Sequence, residues 1–244
     1  MTRPTAHDAE EQTPQNPGRT RIAGWRPTRP ELFALVLAVV CATVFVYIAQ
    51  EVIAEREWER LDAVGTQWVQ ARSTASLTAI MRWVSKLHNT LPIGAAIALL
   101  AVLFAMRRRW EDLIFLLATV PLGMVLNVAM KHTFFRARPP VGQLSELLDS
   151  YSFPSGHVAA STLLYGFLVV LVFRETERTS LRVAAIAGAV VAVVSVAVSR
   201  VYLGVHYTTD VAAAAVEGLG WLCLCWAVVG YSFRSAGSSF SKSA

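Results

Sequence analysis

Residues 183–198 read VAAIAGAVVAVVSVAV, residues 199–210 read SRVYLGVHYTTD, and residues 211–231 read VAAAAVEGLGWLCLCWAVVGY. Two apolar runs of membrane-crossing character thus flank a link that concentrates Arg200, His206 and Asp210. A helix crossing a bilayer needs about 20 mostly apolar residues. The same pattern recurs outward along the chain at 32–53, 91–106, 113–130 and 158–173. Any one run suits a buried soluble helix. Six runs divided by short charged links point to an all-α, polytopic bundle of six transmembrane helices.

Composition agrees with the pattern. The chain of 244 residues is 55% hydrophobic and 16% charged, with a mean hydropathy of +0.47, too apolar for an ordinary soluble domain of this size. No internal repeat is evident, and no cleavable signal is expected, because some thirty polar residues precede the first run. Residues 1–30 and 234–244 read as disordered cytoplasmic tails around a single membrane domain, 31–233. Cys41, Cys223 and Cys225 all fall within proposed spans, as packing residues in place of a disulfide framework or metal site.

The net charge of +5 comes from Lys and Arg that flank spans. It therefore reads as membrane topology, with no nucleic-acid partner. Arg19, Arg21, Arg26 and Arg29 before the first span put the N-terminus inside. Alternation then puts Arg107, Arg108, Arg109, the 174–182 link and Arg234 inside as well. Thirteen of the 22 Lys and Arg fall inside and nine outside, four of the nine being Lys131, Arg136, Arg138 and Arg200. The expectation is a multi-pass protein of the cell membrane with both termini cytoplasmic.

The outer segment 54–90 is too long for a tight turn. Leu77, Ile80, Met81, Val84 and Leu87 recur at helical spacing with Arg82, Lys86 and His88 among them. This predicts an extra amphipathic outer-surface helix, lying on the membrane or against the bundle. A plain linker helix fits equally, and His88 reads as a surface histidine.

Three polar stretches carry chemistry. In SRVYLGVHYTTD, Arg200 offers a planar fork of donors to a phosphate. His206 can serve as nucleophile, acid or base. Asp210, one helical turn on, can orient the ring. A solvated inter-helix loop is the plainer reading of this stretch. In KHTFFRARPP, Lys131, Arg136 and Arg138 sit at a span end before Pro139 and Pro140 stop any helix; snorkelling toward lipid headgroups explains such cations equally well. In YSFPSGHVAAS, Ser155 can cap the fourth span. The backbone N–H groups there, at Gly156 and His157, then form an oxyanion seat, with the His157 side chain at its rim. An incidental histidine at a capped helix start is the alternative. The topology puts all three stretches on the outer face without having used them.

Lys131, six residues, then Arg138-Pro139; an intact PSGH at 154–157; and Ser199-Arg200, five residues, His206, three residues, Asp210: this three-part pattern resembles the type 2 phosphatidic acid phosphatase superfamily, within it the six-span bacterial lipid phosphatases. The resemblance covers residues 32–231, and its joint order and spacing are highly specific. It implies that His206 attacks phosphorus and forms a phospho-histidine while Asp210 holds its ring. It implies that His157 protonates the leaving oxygen and then activates water, and that Lys131, Arg138, Arg200, Ser155 and the Gly156 N–H bind the phosphate oxygens. One departure is Thr208-Thr209, where the family commonly has Pro-Ser, which predicts a looser start of the sixth helix.

The expected activity is metal-independent hydrolysis of a lipid phosphate or diphosphate at the outer leaflet, with no cofactor and no metal site. Polyprenyl diphosphate, phosphatidate and phosphatidylglycerol phosphate are the candidate lipids, the first favoured on topology. The alternatives are a phosphotransferase of the same family, a vanadate-binding haloperoxidase (usually soluble) and, in a different class, an anion or lipid transporter. Absence of repeats disfavours transport. Glu217, seven residues beyond Asp210, lies about 10 Å deeper on the same helix face. It is read either as a protonated structural partner or as support for the site, through Asn127 of the third span.

Overall fold

The computed structural model describes residues 28–54, 57–140 and 150–240. Eight helices occur among them: α1 (Arg29–Ile53), α2 (Glu57–Gln70), α3 (Ala75–Leu87), α4 (Thr90–Met106), α5 (Trp110–Phe134), α6 (Gly156–Glu175), α7 (Thr179–Tyr202) and α8 (Thr208–Phe240). Six stretches are long and apolar enough to cross a membrane: Arg29–Ile53, Ala75–Met106, Trp110–Phe134, Gly156–Glu175, Thr179–Tyr202 and Thr208–Gly230. The expected all-α, six-span bundle is the architecture found.

Each boundary has a local cause. The Thr28 N–H donates to Glu31 Oε2 at 2.9 Å, and Pro30 sits in the first turn, where helix N–H groups have no intrahelical acceptor. The 25 residues of α1 give a length of about 37 Å, sufficient for a hydrocarbon core of about 30 Å. Helix α5 is capped by Phe135, whose φ of 51° lies in the left-handed region; the chain then runs without regular secondary structure to Pro139. Outward apolar side chains stay uncovered, with Phe33 69%, Val39 65% and Leu91 83% exposed. Such helices, apolar on their outer faces, suit lipid and not water.

Helix α8 is the axis of the bundle and packs against α1, α5 and α6. The α6–α8 crossing is close because glycines face side chains across it. A Cβ added to Gly166 would collide with Leu222, and one added to Gly218 would come within 3.0 Å of Thr162. Phe104, Phe115, Phe167, Leu116, Leu163 and Leu222 fill the core toward one end. The other end carries the polar stretches.

Segment 54–90 departs from the expectation in number, while its packing against the bundle is one of the two places foreseen. It holds two helices, where one was foreseen. Leu77 and Met81 of α3, with Val69 of α2, pack on Tyr202, Leu203 and Val205 of the α7–α8 link, and Val84 joins the cluster around Val158 and Val196. Three of the five stripe residues thus pack on the bundle while Ile80 and Leu87 stay exposed, and α3 runs on toward α4 within one candidate span. His88 is also corrected: it is half-buried, its Nε2 2.8 Å from the Tyr165 hydroxyl and its Nδ1 2.8 Å from the Val84 carbonyl. The stretch expected as a C-terminal tail continues α8 as far as Phe240. The N-terminal tail with Arg19, Arg21 and Arg26, and the last four residues, 241–244, lie outside the described residues.

Candidate active site

Helix direction alone collects the three stretches. The C-terminal ends of α5 and α7 and the N-terminal ends of α6 and α8 meet at one end of the bundle, because the four run alternately up and down. The Ser155 N–H donates to the Asp210 carbonyl at 3.1 Å, which ties the α6 start to the α8 start.

His206 is buried, at 2% exposure, in the α7–α8 link. Its Nδ1 lies 3.4 Å from Asp210 Oδ2, and its Nε2 lies 3.4 Å from Arg138 Nη1. With a carboxylate as the partner of Nδ1, the network assigns the ring proton to Nδ1 and leaves the lone pair on Nε2. Burial pushes the His206 pKa down to about 4, against the upward pull of Asp210, with Arg200 and Arg138 adding to the fall. At neutral pH the ring is therefore uncharged, the form a nucleophile requires.

Asp210 is fully buried in the first turn of α8. Its Oδ2 also accepts the Tyr207 N–H at 2.9 Å, an acid reaching back to the backbone at the helix start. Its Oδ1 accepts from Arg136 Nη1 at 2.6 Å.

The cations surround this pair. Arg138 donates to the Val205 carbonyl at 2.7 Å and to the Ser150 carbonyl at 2.8 Å. Burial lowers its pKa from the usual arginine value, partly offset by Asp210. Lys131 donates to the Tyr151 carbonyl at 2.8 Å. Arg200, buried at the end of α7, donates from Nη1 to Ser85 Oγ at 2.5 Å. His157 is half-buried at the first turn of α6, within the electrostatic reach of Arg200, His206, Arg138 and His88.

Unmade bonds are informative as well. Ser155 occupies the cap position of α6 as expected, but its hydroxyl makes no cap bond. Ser155 Oγ and Arg200 Nε are buried without a hydrogen-bond partner. Buried donors are rarely left so. Ser155 Oγ at a helix N-terminus, where the first N–H groups lack intrahelical acceptors, and Arg200 Nε at the same end of the bundle can offer a seat to an oxyanion. All eight site residues foreseen from the sequence, Lys131, Arg138, Ser155, Gly156, His157, Arg200, His206 and Asp210, thus lie at one end of the bundle.

The sequence leaves part of the machinery unassigned. Arg136 counts there among the cations of the candidate site, without a role of its own, and the structure draws it inward. Its Nη2 pairs with Asp62 Oδ2 at 3.0 Å, and its Nη1 donates to Thr209 Oγ1 at 2.7 Å as well as to Asp210. Burial opposes its charge, but Asp210 and Asp62 outweigh it and raise its pKa. Asp62 of α2 is itself buried, accepts the Thr209 N–H at 3.0 Å and takes the Thr209 hydroxyl in a very short contact. The predicted loosening at Thr208-Thr209 is therefore not found: Asp62 holds the α8 start from another helix. The foreseen contact between Asn127 and Glu217 is present, with Nδ2 donating to Oε2 at 2.9 Å. Asn127 Oδ1 lies 3.4 Å from where a Gly156 Cβ would sit.

A six-span bundle with paired histidines, an orienting carboxylate and a cationic oxyanion seat at one end defines a membrane-embedded phosphatase. The chain belongs to the PAP2 superfamily, whose profile matches residues 112–234. It is 30% identical over 200 residues to phosphatidylglycerophosphatase B of Bacillus subtilis (strain 168), covering 80% of this chain and 90% of that protein. Among solved structures, it resembles the transmembrane PAP2-type phosphatidylglycerolphosphate phosphatase from Bacillus subtilis with a TM-score of 0.70 and 25% identity, over 77% of this chain and 93% of that one. Aquifex aeolicus LpxE shares the fold at a TM-score of 0.51 and 21% identity, over 68% of this chain and 94% of that one.

Proposed function

We propose that this protein hydrolyses a lipid phosphate or diphosphate at the extracytoplasmic leaflet through a phospho-histidine intermediate. The observation that carries the reading is the orientation of His206, Nδ1 toward Asp210 and Nε2 toward the Arg138 guanidinium. A phosphoryl group bound by Arg138, Arg200, Lys131, the Ser155 hydroxyl and the Gly156 N–H presents its phosphorus to Nε2.

The Nε2 lone pair forms the N–P bond as the P–O bond to the lipid breaks. His157, in its protonated form, gives its proton to the departing oxygen, so the first product is a lipid alcohol, or a lipid monophosphate when the substrate is a diphosphate. Neutral His157 then takes a proton from water, the oxygen of that water attacks phosphorus, and the N–P bond breaks to restore His206 and release inorganic phosphate. Asp210 stabilises the positive charge that the ring carries while phosphorylated. Phosphoryl transfer relies mostly on positioning and charge neutralisation, which three cationic side chains supply here; chelators should therefore leave the rate unchanged.

The distribution of Lys and Arg, thirteen inside and nine outside, supports an extracytoplasmic site and cytoplasmic termini. The Bacillus relative's name favours phosphatidylglycerol phosphate over polyprenyl diphosphate as the first substrate to try. The test is phosphate release by detergent-solubilised protein with EDTA present. The panel comprises phosphatidylglycerol phosphate, phosphatidate, polyprenyl diphosphate and a soluble aryl phosphate. Release from a lipid, lost in His206→Ala, supports the proposal; strict dependence on a divalent metal contradicts its chemistry.

A further inference from the structure

We propose that Asp62, on the helix α2 that lies outside the six spans, is a positioning residue for the phosphatase reaction: through Arg136 and Thr209 it fixes Asp210, and through Asp210 the ring of His206. The inference rests on the histidine chemistry proposed above and adds a residue from a segment outside the family profile match.

The bracket is continuous and dry. Asp62 is 2% exposed, Thr209 4%, Asp210 0% and His206 2%, and the Arg136 side chain only 12%. One face of Arg136 is covered by the Tyr207 ring, 4.2 Å from the guanidinium carbon to the ring centroid. Asp62 uses both oxygens: Oδ1 takes the Thr209 N–H, while Oδ2 takes Arg136 Nη2 and the Thr209 hydroxyl. Thr209 passes the contact on by accepting from Arg136 Nη1, the same nitrogen that holds Asp210 Oδ1. Each polar atom in the chain has one geometry available to it, which is what orienting a catalytic carboxylate requires.

Charge supplies a second reason. A lone Arg136 ion-paired to Asp210 would neutralise the carboxylate that must support positive charge on phosphorylated His206. Asp62 divides the guanidinium between two acids, so Asp210 keeps more of its charge for the ring. A change at Asp62 also frees the Thr209 N–H at the α8 start, the backbone from which Asp210 projects. A purely structural clamp would explain the burial, but it predicts a loss of stability with no specific effect on the histidine.

The test combines kinetics with nitrogen-15 NMR of the histidine rings in the full-length, detergent-solubilised protein. Asp62→Asn should lower kcat by about 10–100-fold, the usual range for outer partners of site residues, with KM little changed. In an Asp210→Asn background the same change should have less than about a twofold further effect, since Asp62 acts through Asp210. The His206 Nδ1 resonance should shift toward a mixed tautomer in Asp62→Asn, a readout independent of turnover. Unchanged kcat and an unchanged His206 signal overturn the proposal, as does an equal loss in both backgrounds. If Asp62→Asn does not fold, Arg136→Lys replaces it: the charge stays but the fork bridging both acids is lost, and the same kcat loss and His206 shift are expected. Turnover that survives His206→Ala would instead sink the histidine chemistry, leaving the NMR shift to judge Asp62.

Discussion

The bundle carries an arginine–carboxylate network at each end, and the two are built differently. At the end opposite the site, Arg109 pairs with Asp112 and Glu175, and Arg174 pairs with Asp112 and Glu111, joining the start of α5 to the end of α6. Those side chains are mostly wet, with Arg109 31%, Glu111 41% and Glu175 53% exposed, around a shared Asp112 that is 9% exposed. At the site end, Arg136 sits between Asp62 and Asp210, which are 2% and 0% exposed. Exposed pairs contribute about 0–1 kcal/mol each, whereas removing one partner of a buried pair costs about 3–5 kcal/mol because a charge is left stranded. A buried pair is a poor device for stability alone. Beside His206, the nucleophile proposed above, its proposed use is geometric.

This contrast can be broken at several points. The largest effect belongs to the proposed nucleophile: His206→Ala should lower lipid phosphate hydrolysis by about 10⁴-fold or more, measured as phosphate release. Next, Arg136→Ala should destabilise the protein by about 3–5 kcal/mol, read as a large fall in thermal midpoint in detergent. A result under about 1 kcal/mol would erase the difference between the two networks. Acid should act in part through His206. Its folded pKa of about 4 lies below the ordinary 6.5, so between those values the unfolded chain binds a proton that the folded one refuses. Stability should fall as the pH drops from about 6.5 toward 4, and His206→Gln should flatten that slope. Ser85→Ala removes one hydrogen bond to Arg200 and should lower kcat/KM by about 2–10-fold. The smallest effect lies at the opposite end, where Arg174→Ala should change the midpoint by about 1 kcal/mol or less and leave turnover intact.

The six spans and the eight motif residues were legible in the sequence because their signals are local. Hydropathy over a window fixes a span, as 91–106 against the helix Thr90–Met106 illustrates, and the motif spacings lie within twelve residues. Asp62 and Ser85 were not legible. They meet Thr209 and Arg200 across 147 and 115 residues, and in α2 the acid is one of several charges on a helix of low apolar content. Arg136 is visible among the site's cations but its role is not, since a cation at a span end looks the same from sequence whether it reaches lipid headgroups or turns inward to two carboxylates. His88 reads as a surface group from sequence for a similar reason: nothing near it in sequence announces Tyr165.

The central claim is covalent, and trapping it is the most direct test. The enzyme would be mixed with a lipid phosphate carrying radiolabelled phosphorus, quenched within the first turnover, and the protein-bound label challenged with acid and alkali. The expected result is a label stable to alkali and released by acid, as an N–P bond requires, present in the native chain and absent from His206→Ala. Turnover with no label bound to the protein, or with a label that persists in His206→Ala, would contradict a phospho-histidine at position 206.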